Sequence, residues 1–439
     1  MRKEEWSSGE PAGKGPGMAT TARPSSAPAR LGERELIWLM ALLMALQAFG
    51  IDAILPALDE LALDLGVPGN ERQFIIGVYL LTAGIGALVP GALADRFGRR
   101  PVLLGSIGIY IVLSLASALA PTYDVLVAIR AAQGFFAAGI VALPPAIIRD
   151  KVGGDRMARM MSLIFVIFML VPAIAPSIGE LILLVADWRT VFLAMAVQGM
   201  LMGTWAWLRL PETLAPEHRQ PIHVRTIARN MGRALSMPSV VGYVFGSSLV
   251  FGALFGFINS SQQLITETFG AGDIFPIVFG ICAGAMAIAS WSNSRIVERF
   301  GARRVSHTAL FAFIAVSSVQ VVVAFQSEQS LWVFVPLMAV NMALLGFIGS
   351  NFGSIAMNPF FAIAGAASSV HGFVRMTVAA VLGAAIGYAY DGTAQPLALS
   401  LLASGLVCLA LVLFSEKGRL FGPPEPEMGF GQDAAKAFD

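Results

Sequence analysis

Charge is what this chain has least of: only 13% of its 439 residues are Asp, Glu, Lys or Arg. A water-soluble domain carries roughly a quarter, so most of this surface is not built for water. Cysteine is rarer still, with Cys282 and Cys408 alone, both inside apolar runs. That excludes a disulfide framework, and with four histidines no metal-spaced Cys/His set is present. No G-x-x-x-x-G-K-[ST] loop occurs, which removes ATP as the direct energy source. Nothing resembles an assembled nucleophile–base set, so hydrolytic and redox enzymes are unsupported. The expectation is a non-enzymatic protein with no cofactor, no metal and no nucleic-acid partner.

Apolar residues, by contrast, make up 56% of the chain and are gathered into long stretches. A helix needs about 20 apolar residues to cross a bilayer. Twelve stretches meet that length, at 36–58, 73–94, 102–120, 125–147, 160–185, 190–208, 238–262, 274–294, 305–325, 331–356, 364–389 and 394–414. Residues 1–34, rich in Pro, Gly, Ser and Ala, read as a disordered tail. Met18 is a second candidate start. The first stretch is too long for a cleaved signal and lacks an A-x-A site. The polar segment 209–237 splits the spans six and six and reads as a linker, and 416–439 as a loose tail.

An even number of spans puts both termini on one side. Of the 29 Lys and Arg, twenty-five fall on that side, two (Arg72 and Arg189) on the other, and two (Arg130 and Arg375) inside spans. The positive-inside rule makes the crowded side cytoplasmic. The halves also repeat. Asp95-Arg96-Phe97-Gly98 and Arg100, after span two, fall on Glu298-Arg299-Phe300-Gly301 and Arg303, after span eight, with a shift of 203. Six spans separate the copies, which is a parallel repeat about an axis along the membrane normal. The fold class expected is therefore all-α integral membrane: two pseudo-symmetric six-helix bundles, 35–208 and 238–415, around a cleft.

Gly91-Ala-Leu-Ala-Asp95-Arg96-Phe97-Gly98-Arg99-Arg100 resembles the G-x-L-A-D-R-x-G-R-R/K loop of the major facilitator superfamily, and the resemblance covers the whole transmembrane region. Asp52, Leu55 and Pro56 resemble the D-x-x-L-P element of its drug:proton antiporter group, and Arg130, Gln133 and Gly134 the R-x-x-Q-G element. Pro172, Pro176 and Gly179, with Asp187-Trp188-Arg189 and Gly365–Ser369, resemble the bicyclomycin-resistance (Bcr/CflA) branch of multidrug exporters. Two departures stand out: Glu180 replaces a second glycine, and Arg375 matches no pattern of the branch. The resemblance implies a monomeric transporter of the cytoplasmic membrane, exporting amphipathic small molecules in exchange for protons. An importing proton symporter and a non-transporting membrane receptor are the alternatives.

Ionisable groups at mid-helix cost several kcal/mol unless they face protein, water or a partner, and so default to function. Asp52, Arg130 and Glu180 lie at similar depth near the outer side. Asp52 is the expected protonation site and Arg130 its tuner: burial disfavours the charged form of a carboxyl and a guanidinium favours it. A permanent Asp52–Arg130 pair that only pins two helices is the structural alternative. Glu180 is either a second coupling group or a side chain reaching water. His371 and Arg375, four residues apart on one helix face, form a candidate site for an anionic substrate or a second proton. Gln133, Asn259, Gln262, Asn341 and Asn351 are candidate cleft-lining amides. Gly91, Asp95, Arg96, Gly98, Arg99 and Arg100, echoed by Glu298 and Arg299, read as a conformational latch whose carboxylate releases as the cytoplasmic side opens. Pro172, Pro176 and Gly179 predict a kinked fifth span at the interface of the halves.

Overall fold

The computed structural model describes residues 31–152, 154–218, 232, 237–326, 329–357 and 364–421, all of whose regular elements are helical. The tails with Met18, most of the linker, and the side chains of Gly365–Ser368 lie outside the described residues. Among the described residues twelve long helical segments follow the expected order. The first runs from Glu33–Asp52 through a tight turn at Leu55–Ala57 into Leu58–Leu65; the break falls at Pro56, which has no N–H to continue the ladder. The second is Phe74–Gly86, bent by 45° into Pro90–Phe97, again at a proline. The others are Arg99–Ala118, Tyr123–Lys151, Gly154–Leu183, Trp188–Arg209, Pro238–Gln263, Phe275–Phe300, Ala302–Ala324, Leu331–Met357, Ala364–Tyr388 and Gln395–Ser415.

Ten of these are long and apolar enough to cross a bilayer, and the bent second segment makes eleven. The fifth, Gly154–Leu183, holds an apolar stretch over Leu170–Leu183 and side chains outside the described residues. Exposed apolar side chains such as Leu184, Val185, Val322 and Trp332 stud the outer surface, where lipid is the solvent.

Packing repeats between the halves. The first span packs on the fourth, fifth and sixth, as the seventh packs on the tenth, eleventh and twelfth; the third lies on the fourth and sixth, as the ninth lies on the tenth and twelfth. The halves meet where the second span packs on the eleventh and the fifth on the eighth, two contacts that the repeat interchanges.

Every polar contact between the halves among the described residues lies at the end opposite the basic loops. Arg72 binds Asp59 and reaches across to Glu267, while Gln262 reaches back to Asp59. Gln73 donates to Gln263 (3.1 Å), which donates to Asn70 Oδ1 (2.7 Å), and Asn70 donates to the carbonyls of Tyr388 (2.9 Å) and Tyr390 (2.8 Å). Among the described residues, polar contacts therefore fasten the halves at the end opposite the basic loops and not at the other end. The fastened end is the outer one in the topology expected from charge.

Candidate transport site

Asp52 ends the first helix and is buried, with Oδ1 making no hydrogen bond. No ion pair joins it to Arg130 among the described residues, so the permanent pair that would merely pin two helices is not present in this conformation. Arg130 is fully buried, and its two Nη groups bond elsewhere while its Nε has no hydrogen-bond partner among the described residues. Its Nη1 donates to Gln133 Oε1 (2.6 Å) and its Nη2 to the Gly50 carbonyl (2.8 Å), two residues from Asp52. The guanidinium lies 4.2 Å over the Tyr79 ring and 5.8 Å from that of Phe192, where the faces of aromatic rings attract a cation. The network continues through Gln133 Nε2 to Ser114 Oγ (2.7 Å), from Ser114 to the Tyr110 carbonyl (2.8 Å), and from Tyr110 OH to the Leu46 carbonyl (3.1 Å). Tyr79 and Tyr110 are thus part of the site, yet in the sequence they look like any aromatic filler.

The fifth span, one continuous helix over Gly154–Leu183 with Pro172 and Pro176 inside it, packs on both the first span and the eighth. Gly179 itself faces the first span: a Cβ there would stand 2.1 Å from the Ala53 carbonyl oxygen and 3.0 Å from Pro56 Cγ. Only glycine allows this approach, and the point touched is the segment that follows Asp52. Glu180, one residue on, is half-buried and has no hydrogen bond or ion pair among the described residues.

The candidate amides divide. Gln133 bonds within the first half. Asn341 donates to Gln320 (2.5 Å) and accepts from Ser317 (3.2 Å), and Asn351 donates to Asn293 (2.8 Å); these fasten the tenth span to the ninth and eighth. Gln262 belongs to the outer fastening. Asn259 is fully buried with neither side-chain atom partnered.

On the eleventh span, His371 Nε2 lies 2.9 Å from Ser247 Oγ, and the Arg375 guanidinium lies 4.6 Å over the Phe251 ring. Both partners belong to the seventh span, and nothing in the sequence marked Phe251 among 29 phenylalanines.

The basic loop after the second span is knit into its own half. Gly98 has φ +103° at the join of two helices. Arg99 binds Asp95 (2.7 Å) and Asp150 (3.0 Å). Glu212, just past the sixth span, accepts from the backbone N–H groups of Arg99 (2.9 Å), Arg100 (3.2 Å), Thr213 (2.9 Å) and Leu214 (3.0 Å). Burial opposes its charge, but the N–H groups of Leu214, Arg99, Thr213 and Arg100 outweigh that and hold the carboxyl below its ordinary value of 4.5. The second copy is simpler: Arg303 binds Glu416 (2.8 Å), just past the twelfth span. A lone acid directly after the last span of each half was the available signal for both.

A family model described as Major Facilitator Superfamily matches residues 40–387. A bicyclomycin resistance protein homolog of Haemophilus influenzae is 30% identical over 359 residues, covering 82% of this chain and 90% of that protein. The multidrug resistance protein MdtL of Escherichia coli is 28% identical over 394 residues, covering 88% and 96%. Among solved structures, a D-xylose-proton symporter superposes with a TM-score of 0.67 at 15% identity, over 89% of this chain and all of that one.

Proposed function

The chain belongs to the Major Facilitator Superfamily, and on that premise we propose that this multi-pass membrane transporter exports amphipathic, drug-like molecules in exchange for protons by alternating access. The names of the relatives, bicyclomycin and multidrug resistance, support export of such compounds. The basic loops support a place in the cytoplasmic membrane with both termini inside. One observation carries the coupling: among the described residues Asp52 is a buried acid with no hydrogen bond or ion pair, although a buried arginine is anchored to the same helix two residues away. Intramembrane acids mark proton pathways.

In this reading the outer fastening of Arg72, Asp59, Glu267 and Gln262 closes the cleft to the outside while substrate enters from the cytoplasm. Release of that fastening admits a proton to Asp52, and its neutralisation removes the charge that must otherwise cross the protein interior. Arg130 conveys the change through the Gly50 carbonyl and the Gln133–Ser114–Tyr110 chain. The Asp95 carboxylate pairs with Arg99 in the cytoplasm-open state and exchanges partners when that side closes. Candidate compounds are chosen by whole-cell accumulation with and without an uncoupler, then tested in proteoliposomes under an imposed pH gradient. Wild-type protein is expected to concentrate the compound and Asp52→Asn to fall to background. Full gradient-driven transport by Asp52→Asn defeats the proposal.

A further inference from the structure

We infer that Arg375, Phe251 and His371 form an anion subsite in the C-terminal half, and that the exported compounds carry a carboxylate on an apolar body. This rests on the transport reading and narrows its substrate class.

The starting point is a cation without a counter-charge. Arg72, Arg99, Arg189, Arg209 and Arg303 each bind a carboxylate, and Arg130 binds a carbonyl and an amide oxygen. Arg375 differs. Among the described residues its side chain makes no hydrogen bond or ion pair at all, whereas Arg72 and Arg130, whose Nε atoms are likewise unpartnered, bond through their Nη groups. Its one ring contact is Phe251. The helices packed around it offer no acid either. The second, seventh, tenth and twelfth spans carry no charged residue over Phe74–Gly86, Pro238–Gln263, Leu331–Met357 and Gln395–Ser415. The nearest charges of the outer fastening adjoin Gln73, which packs at Gly387, twelve residues or about 18 Å along the helix.

A membrane-buried guanidinium normally has a partner, so here the partner is expected from the ligand. Stacked on a ring face, a guanidinium keeps its in-plane N–H fork free, and that fork fits a carboxylate in two parallel bonds. His371 completes the pattern one turn away. Ser247 Oγ lies 2.9 Å from both the Val244 carbonyl and His371 Nε2. When it donates to the carbonyl it accepts from Nε2–H, the tautomer that leaves Nδ1, unpartnered among the described residues, to accept from a ligand donor. A fork for an anion, an aromatic wall and an adjacent acceptor describe a site for an aryl or alkyl carboxylic acid. They do not describe a site for an organic cation.

The test is equilibrium binding to the purified full-length protein in detergent. Benzoate, 2-naphthoate and 4-phenylbutyrate are each compared with the matching primary amide and amine. Wild-type protein is expected to bind at least one acid about tenfold more tightly than its amide and to reject the amines. Arg375→Gln is expected to bind that acid and its amide alike. Should Arg375→Gln not remain monodisperse, the acid–amide comparison in the wild type decides. No acid bound, preference for amides or amines, or a preference unchanged in Arg375→Gln overturns the inference. No gradient is imposed, so a failure of proton coupling at Asp52 does not enter this readout.

Discussion

Gly179 has no room for a methyl group, because the Ala53 carbonyl occupies the space. Gly179→Ala is expected to cost about 1–3 kcal/mol, as overpacking does elsewhere, and to displace the turn that follows Asp52. A lowered thermal midpoint together with reduced gradient-driven transport is the expected outcome; unchanged values for both would show that the fifth span yields freely. At this scale the sequence was readable where charge met apolar surroundings. Asp52, Arg130, Glu180 and Arg375 stand out because a lone charge in a long apolar run is visible without coordinates. Their partners were less readable. Gln133, marked in the same element as Arg130, accepts from it, but the other acceptor, the Gly50 carbonyl, depends on how deeply the fourth span packs against the first, and no sequence marks it. Tyr79, Tyr110 and Phe251 were hidden for a related reason: an aromatic ring in a membrane helix has the same letter whether it faces lipid or a guanidinium.

Individual helices were legible through length and proline. Ten of the expected spans, and the bent second as an eleventh, are long and apolar enough to cross a bilayer. The breaks at Pro56 and Pro90, inside stretches read as single spans, have their reason in proline's missing N–H. How helix ends are tied together was not, and Glu212 is the clearest case. The acid lies in the segment read as a linker, yet it gathers four backbone N–H groups at the start of the third span and past the end of the sixth. Since folding holds this carboxyl below its ordinary value, its stabilisation is complete above that value and is lost as pH falls through the depressed one. Glu212→Gln is therefore expected to lower the thermal midpoint at pH 7, with the gap to wild type closing in the acid range. A gap independent of pH would assign the loss to packing instead of charge. Glu416 holds the matching place after the twelfth span, binding Arg303 where Glu212 binds the loop of Arg100.

For the whole molecule, the repeat at positions 95–100 and 298–303 foretold two similar halves, and the interchange of the second–eleventh and fifth–eighth contacts matches it. The state captured could not be foretold, since alternating conformations share one sequence and differ in which end is fastened. Breaking the outer fastening should shift that balance. In a background lacking Cys282 and Cys408, a cysteine replacing the fully buried Asn259 is expected to react faster with a membrane-impermeant maleimide from outside when Arg72→Gln is added. Equal labelling rates would mean that the Arg72 contacts do not hold the outer end shut.

That fastening also leaves a mark on the electric field. Asp59 and Glu267 hold Arg72, and Asp64 holds Arg189, so among the described residues both bases at the end opposite the basic loops have an acid. Glu60, Glu71 and Asp273 add further negative charge around the same mouth. A rim of this sign enriches hydronium near the opening and repels dissolved anions. Fixed charge of this sign raises the local proton concentration at the rim and lowers that of any dissolved anion, whichever way the anion is moving.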